Sequence, residues 1–110
     1  MRSFVTLARS GDFLRIRRSG RRVSLVPATV FVVEARSWER RSTVGITVSS
    51  KLGGAVVRNR AKRRLSAAFH HALKAAPRRL RMVAIARPQA LDLPFSELVA
   101  SFASLGSAPV

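Results

Sequence analysis

The spacing of apolar positions changes several times along the chain, and each change marks an element. Residues 3–9 carry a weak helical pattern that ends at Ser10-Gly11. Asp12 then suits the cap of a second helical stretch through Arg18, ended by Ser19-Gly20. On that stretch Phe13 and Ile16 lie three apart, surrounded by Arg15, Arg17 and Arg18. Residues 23–35 read as a strand, with Pro27 near its start as a place where it can split. The run Val30-Phe31-Val32-Val33 is β-branched and aromatic, as a buried strand requires. The polar segment 36–42 reads as a hairpin loop, and Thr43 to Ser49 alternates as the partner strand.

After a hinge at Lys51-Leu52-Gly53-Gly54, a helix is predicted from Ala55 to Lys74, stopped before Pro77. Val57, Ala61, Leu65, Ala68, Phe69 and Ala72 share one face of it. Asn59, Arg60, Arg63, Arg64 and His70 lie on the others, with Arg58 and Lys62 at the boundary. Leu80 to Ala86 is a further apolar strand. Pro94 opens a last helix through Leu105, with Asp92 or Leu93 at its cap. The tail 106–110 is expected to be loose, and residues 1–110 to form one small domain.

Charge changes this picture from a fold to a binding surface. The chain has 21 Lys and Arg against five Asp and Glu, a formal net charge of +16. Between Arg40 and Leu91 there are thirteen cations and no acid, so salt bridges within that stretch cannot neutralise it. A compact chain so charged calls for an external polyanion. Arginine supplies 18 of the 21 cations, and its planar fork fits phosphate oxygens and stacks on bases. There is no cysteine, which excludes disulfides, thiolate zinc sites and cysteine nucleophiles. The first nine residues hold too short an apolar stretch for a signal peptide. No run approaches the ~18 apolar residues of a membrane span. A cytoplasmic protein is expected.

The segment Arg58-Asn59-Arg60-Ala61-Lys62-Arg63-Arg64 is cationic at five of its seven positions. A helix with one apolar stripe and such a surface suits a phosphate backbone. Asn59 adds a neutral donor and acceptor for a base edge or a 2′-hydroxyl. A merely solvated charged face is the alternative, but such helices usually mix signs, and no Glu is interleaved here. A hydrolase acting alone would need a nucleophile, a base or a metal site. His70 and His71 are helix neighbours whose side chains point ~100° apart, with no acid near them in sequence. They read as surface or helix-end residues. The carboxylates show no metal-ligand spacing.

The stretch Val48-Ser49-Ser50-Lys51-Leu52-Gly53-Gly54-Ala55-Val56-Val57-Arg58-Asn59-Arg60-Ala61-Lys62-Arg63-Arg64-Leu65 resembles the signature of the bacterial ribonuclease P protein family. Upstream, Asp12-Phe13-Leu14-Arg15-Ile16 and Ser19-Gly20-Arg21 resemble its N-terminal segment. Downstream, Val83-Ala84-Ile85-Ala86-Arg87-Pro88 resembles its last strand. The chain departs from the family pattern at Arg17, where a second aromatic is common, and at Ser66, where a further Arg is usual. Ser50 and Gly54 replace a common Lys and Asn.

The resemblance implies an α/β two-layer sandwich of order αβββαβα. It also implies a mixed four-stranded sheet with a left-handed βαβ crossover, an exception to the usual hand. It implies two RNA surfaces. Lys51, Arg58, Asn59, Arg60, Lys62, Arg63 and Arg64 would meet a catalytic RNA. A cleft between sheet and N-terminal helix, marked by Phe13, Arg17 and Phe31, would hold the 5′ leader of precursor transfer RNA. Phe31, inside a valine run, fits the core as well as the cleft, whereas Phe13 lies in a polar, Arg-rich segment. The resemblance further implies that RNA performs the hydrolysis with Mg²⁺ held mainly by RNA. The protein alone would bind no cofactor and would be inactive, with one protein per RNA. The competing readings are another small RNA-binding protein such as a ribosomal one, a DNA-binding regulator and a membrane-surface peptide. The regulator would need a helix and tight turn before residue 55, where a strand is predicted. The strands argue against the membrane peptide.

Overall fold

The computed structural model describes residues 3–74 and 79–107. Strand β1 (Phe4–Thr6) is followed by helix α1 (Ser10–Ser19), β2 (Arg21–Ser24), β3 (Ala28–Glu34) and β4 (Ser42–Thr47). Helix α2 (Ala55–Lys74), β5 (Leu80–Ala86) and α3 (Phe95–Ser107) complete the order, with short 3₁₀ turns at Ser50–Leu52 and Pro88–Ala90. The sheet runs β1-β4-β5-β3-β2.

The α/β class and the long helix are as the sequence predicts, and three details differ. Residues 4–6 form a strand rather than a helix, giving a fifth strand that pairs parallel with β4 through Phe4↔Ser42 and Thr6↔Val44. Phe4, Val5 and Thr6 are strand formers, and Phe4 is buried edge-on against Phe69, with ring centroids 6.4 Å apart. Ser10 and Gly11, read as a breaker, instead open α1, with Arg9 at its N-cap and no side-chain cap. The segment 36–42 is not a hairpin loop between neighbours, because β5 lies between β3 and β4. Leu80 to Ala84 are buried at five consecutive positions, so β5 has no exposed face there and takes the centre of the sheet. It pairs antiparallel with β3 and parallel with β4. The parallel pair needs a crossover, and α2 supplies it. The first long strand segment splits at Pro27, where β2 and β3 form an antiparallel pair closed by the Leu25 N–H on the Ala28 carbonyl. Of the expected loose tail, Gly106 and Ser107 continue α3, while 108–110 lie outside the described residues, as does Pro77.

Alternation along the strands builds two apolar layers. Val30, Val32, Val44, Met82 and Ala84 face α2 and α3, where Phe69 and Phe102 stack with centroids 4.0 Å apart. Phe31, Val33 and Val83 face the other way and are covered by Leu7, Phe13 and Ile16. Gly45 on β4 lets α1 come close: a Cβ there would stand 2.6 Å from Phe13 Cε1.

Candidate RNA interface

The chain enters α2 through Gly53, whose φ of 149° suits glycine. A Cβ at Gly53 would also press on Val57 at 2.9 Å. Just before it, Ser49 Oγ accepts the Lys51 N–H at 3.2 Å, which fixes the turn and leaves the Lys51 side chain exposed. The helix then buries Ala61, Leu65, Ala68, Phe69, Ala72 and Leu73. That stripe forces Asn59, Arg60, Lys62 and Arg63 outward, and all four are exposed. Val57, predicted on the buried stripe, is half-buried at its end.

Two predicted site residues are set apart by their surroundings. Arg64 is half-buried; its Nε donates to the Ala90 carbonyl at 2.9 Å and its Nη2 to the Leu93 carbonyl. Its fork closes the turn before α3 rather than facing solvent, which corrects its place among the outward cations. Arg58 is also half-buried, and its Nε is dry and without a partner among the described residues. A buried guanidinium nitrogen left unpaired is costly.

Three depressions meet on this side of the molecule. An open groove of about 660 Å³ runs along α2 past Val56, Asn59, Arg63 and His70. A second, of about 360 Å³, lies between Phe13 of α1, Ile46 to Val48 and the start of α2 at Ala55, Arg58 and Asn59. A third, of about 230 Å³, continues from Phe13 past Leu7, Val44 and Ser66. Lys62 lines all three, so groove and cleft adjoin at its side chain.

The aromatic residues divide. Phe13 is half-buried: it packs with Ile16 and Val83 and also lines the cleft. Phe31 packs in the same cluster, and the Arg17 guanidinium lies over its ring, 5.8 Å from the centroid. The Arg17 departure therefore replaces an aromatic by a stacked cation. The cleft floor at Ile46, Thr47 and Val48 carries no signal of its own in the sequence. Nothing in a strand's alternation says which α-helix faces its end. His70 is part of a structural tie: its Nδ1 accepts the Ser3 N–H at 2.9 Å and its carbonyl accepts the Ser3 hydroxyl at 2.6 Å. His71 meets Phe95 edge-on at 5.7 Å. Among the described residues no three His, Asp or Glu side chains gather as a cluster that could hold a metal ion.

A basic helix face running into an aromatic-walled cleft is an arrangement for binding RNA, and comparison with known proteins decides which kind. The family model described as Ribonuclease P matches residues 1–108. The chain belongs to the ribonuclease P protein family. It is 38% identical over 96 residues to the ribonuclease P protein component of Acidothermus cellulolyticus, covering 87% of this chain and 80% of that one. It is 41% identical over 86 residues to that of Symbiobacterium thermophilum, covering 78% and 74%. The fold matches the Staphylococcus aureus RNase P protein with TM-score 0.72 and 29% identity, over 87% of this chain and 86% of that one. It also matches the RNase P protein from Thermotoga maritima with TM-score 0.75 at 24% identity, over 91% and 93%. As a ribonuclease P protein subunit, the chain takes part in transfer RNA processing and works with an RNA partner. Among the described residues no helix is long and apolar enough to cross a membrane.

Proposed function

We propose that this ribonuclease P protein binds the catalytic RNA through the exposed face of α2 and holds the 5′ leader of precursor transfer RNA in the adjoining cleft. The observation that carries this reading is the shared wall at Lys62, which lines both the α2 groove and the cleft beside Phe13. Lys51, Arg58, Asn59, Arg60, Lys62 and Arg63 are the residues of the first contact. Arg64 serves it indirectly, by fixing the turn onto which α2 packs. The Phe13 ring offers a face to an unpaired base, and Phe31 with Arg17 supports the wall behind it. Screening of phosphate repulsion lets one protein bring leader and catalytic RNA together.

In this reading the RNA carries out hydrolysis with Mg²⁺ that it holds itself, one protein binds per RNA, and the complex works in the cytoplasm. The chain's own part is binding and positioning. The test is reconstitution at low Mg²⁺ with bacterial ribonuclease P RNA and precursor transfer RNA. Protein and RNA together should release the leader, and the protein alone should not. Leader release by RNA-free protein, surviving ribonuclease controls, would overturn it.

A further inference from the structure

Trp38 is the chain's single tryptophan and is 72% exposed. It sits in the β3–β4 loop and lines none of the depressions just described. The Arg36 guanidinium lies over its ring at 5.6 Å, and Arg40 beside it is exposed. An indole so exposed leaves most of its surface in water. Single exposed apolar residues are ordinary, but this one is held in a braced loop. Glu39 Oε1 accepts the Arg36 N–H at 2.7 Å, and its Oε2 accepts the Thr43 hydroxyl at 3.1 Å and Arg81 Nη1 at 3.0 Å. The Glu39 carbonyl accepts Arg79 Nη1, and its N–H donates to the Arg36 carbonyl at 3.0 Å. The loop is therefore tied to β4 and to β5, the central strand. A pre-ordered aromatic face beside cations is what an unpaired base needs for stacking at small entropic cost.

The topology says which RNA can reach it. β1 runs parallel to β4, and Ser3, just before β1, bonds to His70 near the end of α2. The end of α2, the start of β4 and the loop 36–41 thus lie at one end of the molecule. The α2 groove runs from Val56 towards His70, a span of about 14 residues or ~21 Å at 1.5 Å per residue. An RNA lying along that groove is led towards the Trp38 end. A leader in the cleft lies at the other end of β4, near Ile46 to Val48.

We propose that Arg36, Trp38 and Arg40 form a second contact for the catalytic RNA. The indole of Trp38 stacks an unpaired base, and Arg36 and Arg40 face the flanking phosphates. This rests on the reading that α2 binds that RNA.

With a single Trp and no Tyr, the protein's own fluorescence reports on the site. Full-length protein is titrated with end-labelled ribonuclease P RNA, and binding is followed by label anisotropy and by Trp38 emission and acrylamide quenching. Emission should fall and acrylamide access should drop as the RNA saturates. Trp38→Ala should weaken RNA binding about tenfold with unchanged circular dichroism and melting temperature, while Trp38→Phe keeps most of the affinity. Bound RNA that leaves emission and quenching unchanged would overturn the inference and spare the α2 reading. An emission change seen only when precursor transfer RNA joins the preformed complex would assign the site to substrate and overturn it too. Absence of RNA binding altogether would overturn the α2 reading, and the inference with it.

Discussion

The Phe13 ring lies directly on Gly45, where a Cβ would come within 2.6 Å of its Cε1 and Cζ atoms. The glycine thus sets the height of α1 over the sheet and the width of the cleft that Phe13 lines. Gly45→Ala should lift the ring, cost about 1–3 kcal/mol of stability, and weaken precursor binding in the holoenzyme. Phe13→Ala in the same chain should relieve the clash. A double-mutant cycle on urea unfolding reads this as a coupling between the two sites. Strictly additive costs would show that the two residues do not press on each other.

The cations of α2 do two different jobs. Arg64 holds the Ala90 and Leu93 carbonyls, so Arg64→Ala should cost about 1.5–3 kcal/mol of stability. Arg60 and Arg63 are exposed, so their double alanine variant should melt like the parent and bind catalytic RNA more weakly. Its log–log salt slope should be shallower by about 1.5, the share of two phosphate contacts. Thermal melts and RNA titrations at several salt concentrations check both. An unstable Arg60/Arg63 double variant, or an unaltered salt slope, would contradict this division.

Glu39 ties acid sensitivity to the β3–β4 loop. Burial alone would raise its carboxyl. The Arg36 N–H, the Thr43 hydroxyl and the Arg81 guanidinium outweigh burial, and the group sits below its ordinary 4.5. A carboxylate depressed on folding adds stability above its ordinary range, and loses it as pH falls through the folded value. Glu39→Gln leaves Arg81, 8% exposed, without its charge partner. It should cost about 3 kcal/mol at pH 7, and the gap to the parent should narrow progressively as pH falls below the ordinary 4.5. Urea unfolding across pH 3 to 7 measures it; a gap that stays constant would show that the Glu39 charge plays no part.

The sequence shows most plainly what one element settles by itself. The α2 stripe of Ala61, Leu65, Ala68, Phe69 and Ala72 repeats over several turns, so helix, buried face and exposed cations all follow from it. β1 is hidden because three residues carry no period, and its strand state depends on pairing with Ser42 to Val44, far along the chain. Alternation in β3 and β4 gives their faces but not their neighbours, so from sequence the two look like a hairpin although β5 lies between them. The role of Arg64 is invisible for a similar reason: its acceptors are backbone carbonyls 26 and 29 residues away. The cleft aromatic was legible as an apolar residue among arginines. Its glycine seat was not.

The central claim is that leader and catalytic RNA use adjoining but different surfaces. It is tested most directly by the affinities of precursor and mature transfer RNA for holoenzymes carrying Phe13→Ala or the Arg60/Arg63 double alanine. Circular dichroism checks folding, and Phe13→Leu preserves packing on Gly45 should the alanine variant unfold. With either Phe13 variant, precursor binding should weaken while mature transfer RNA, which has no leader, binds as before. For alanine the loss should be about 1–3 kcal/mol, the worth of one stacked base. The double alanine should instead weaken assembly with the catalytic RNA, whatever the substrate. Equal losses for precursor and mature transfer RNA in a folded Phe13 variant would contradict the account.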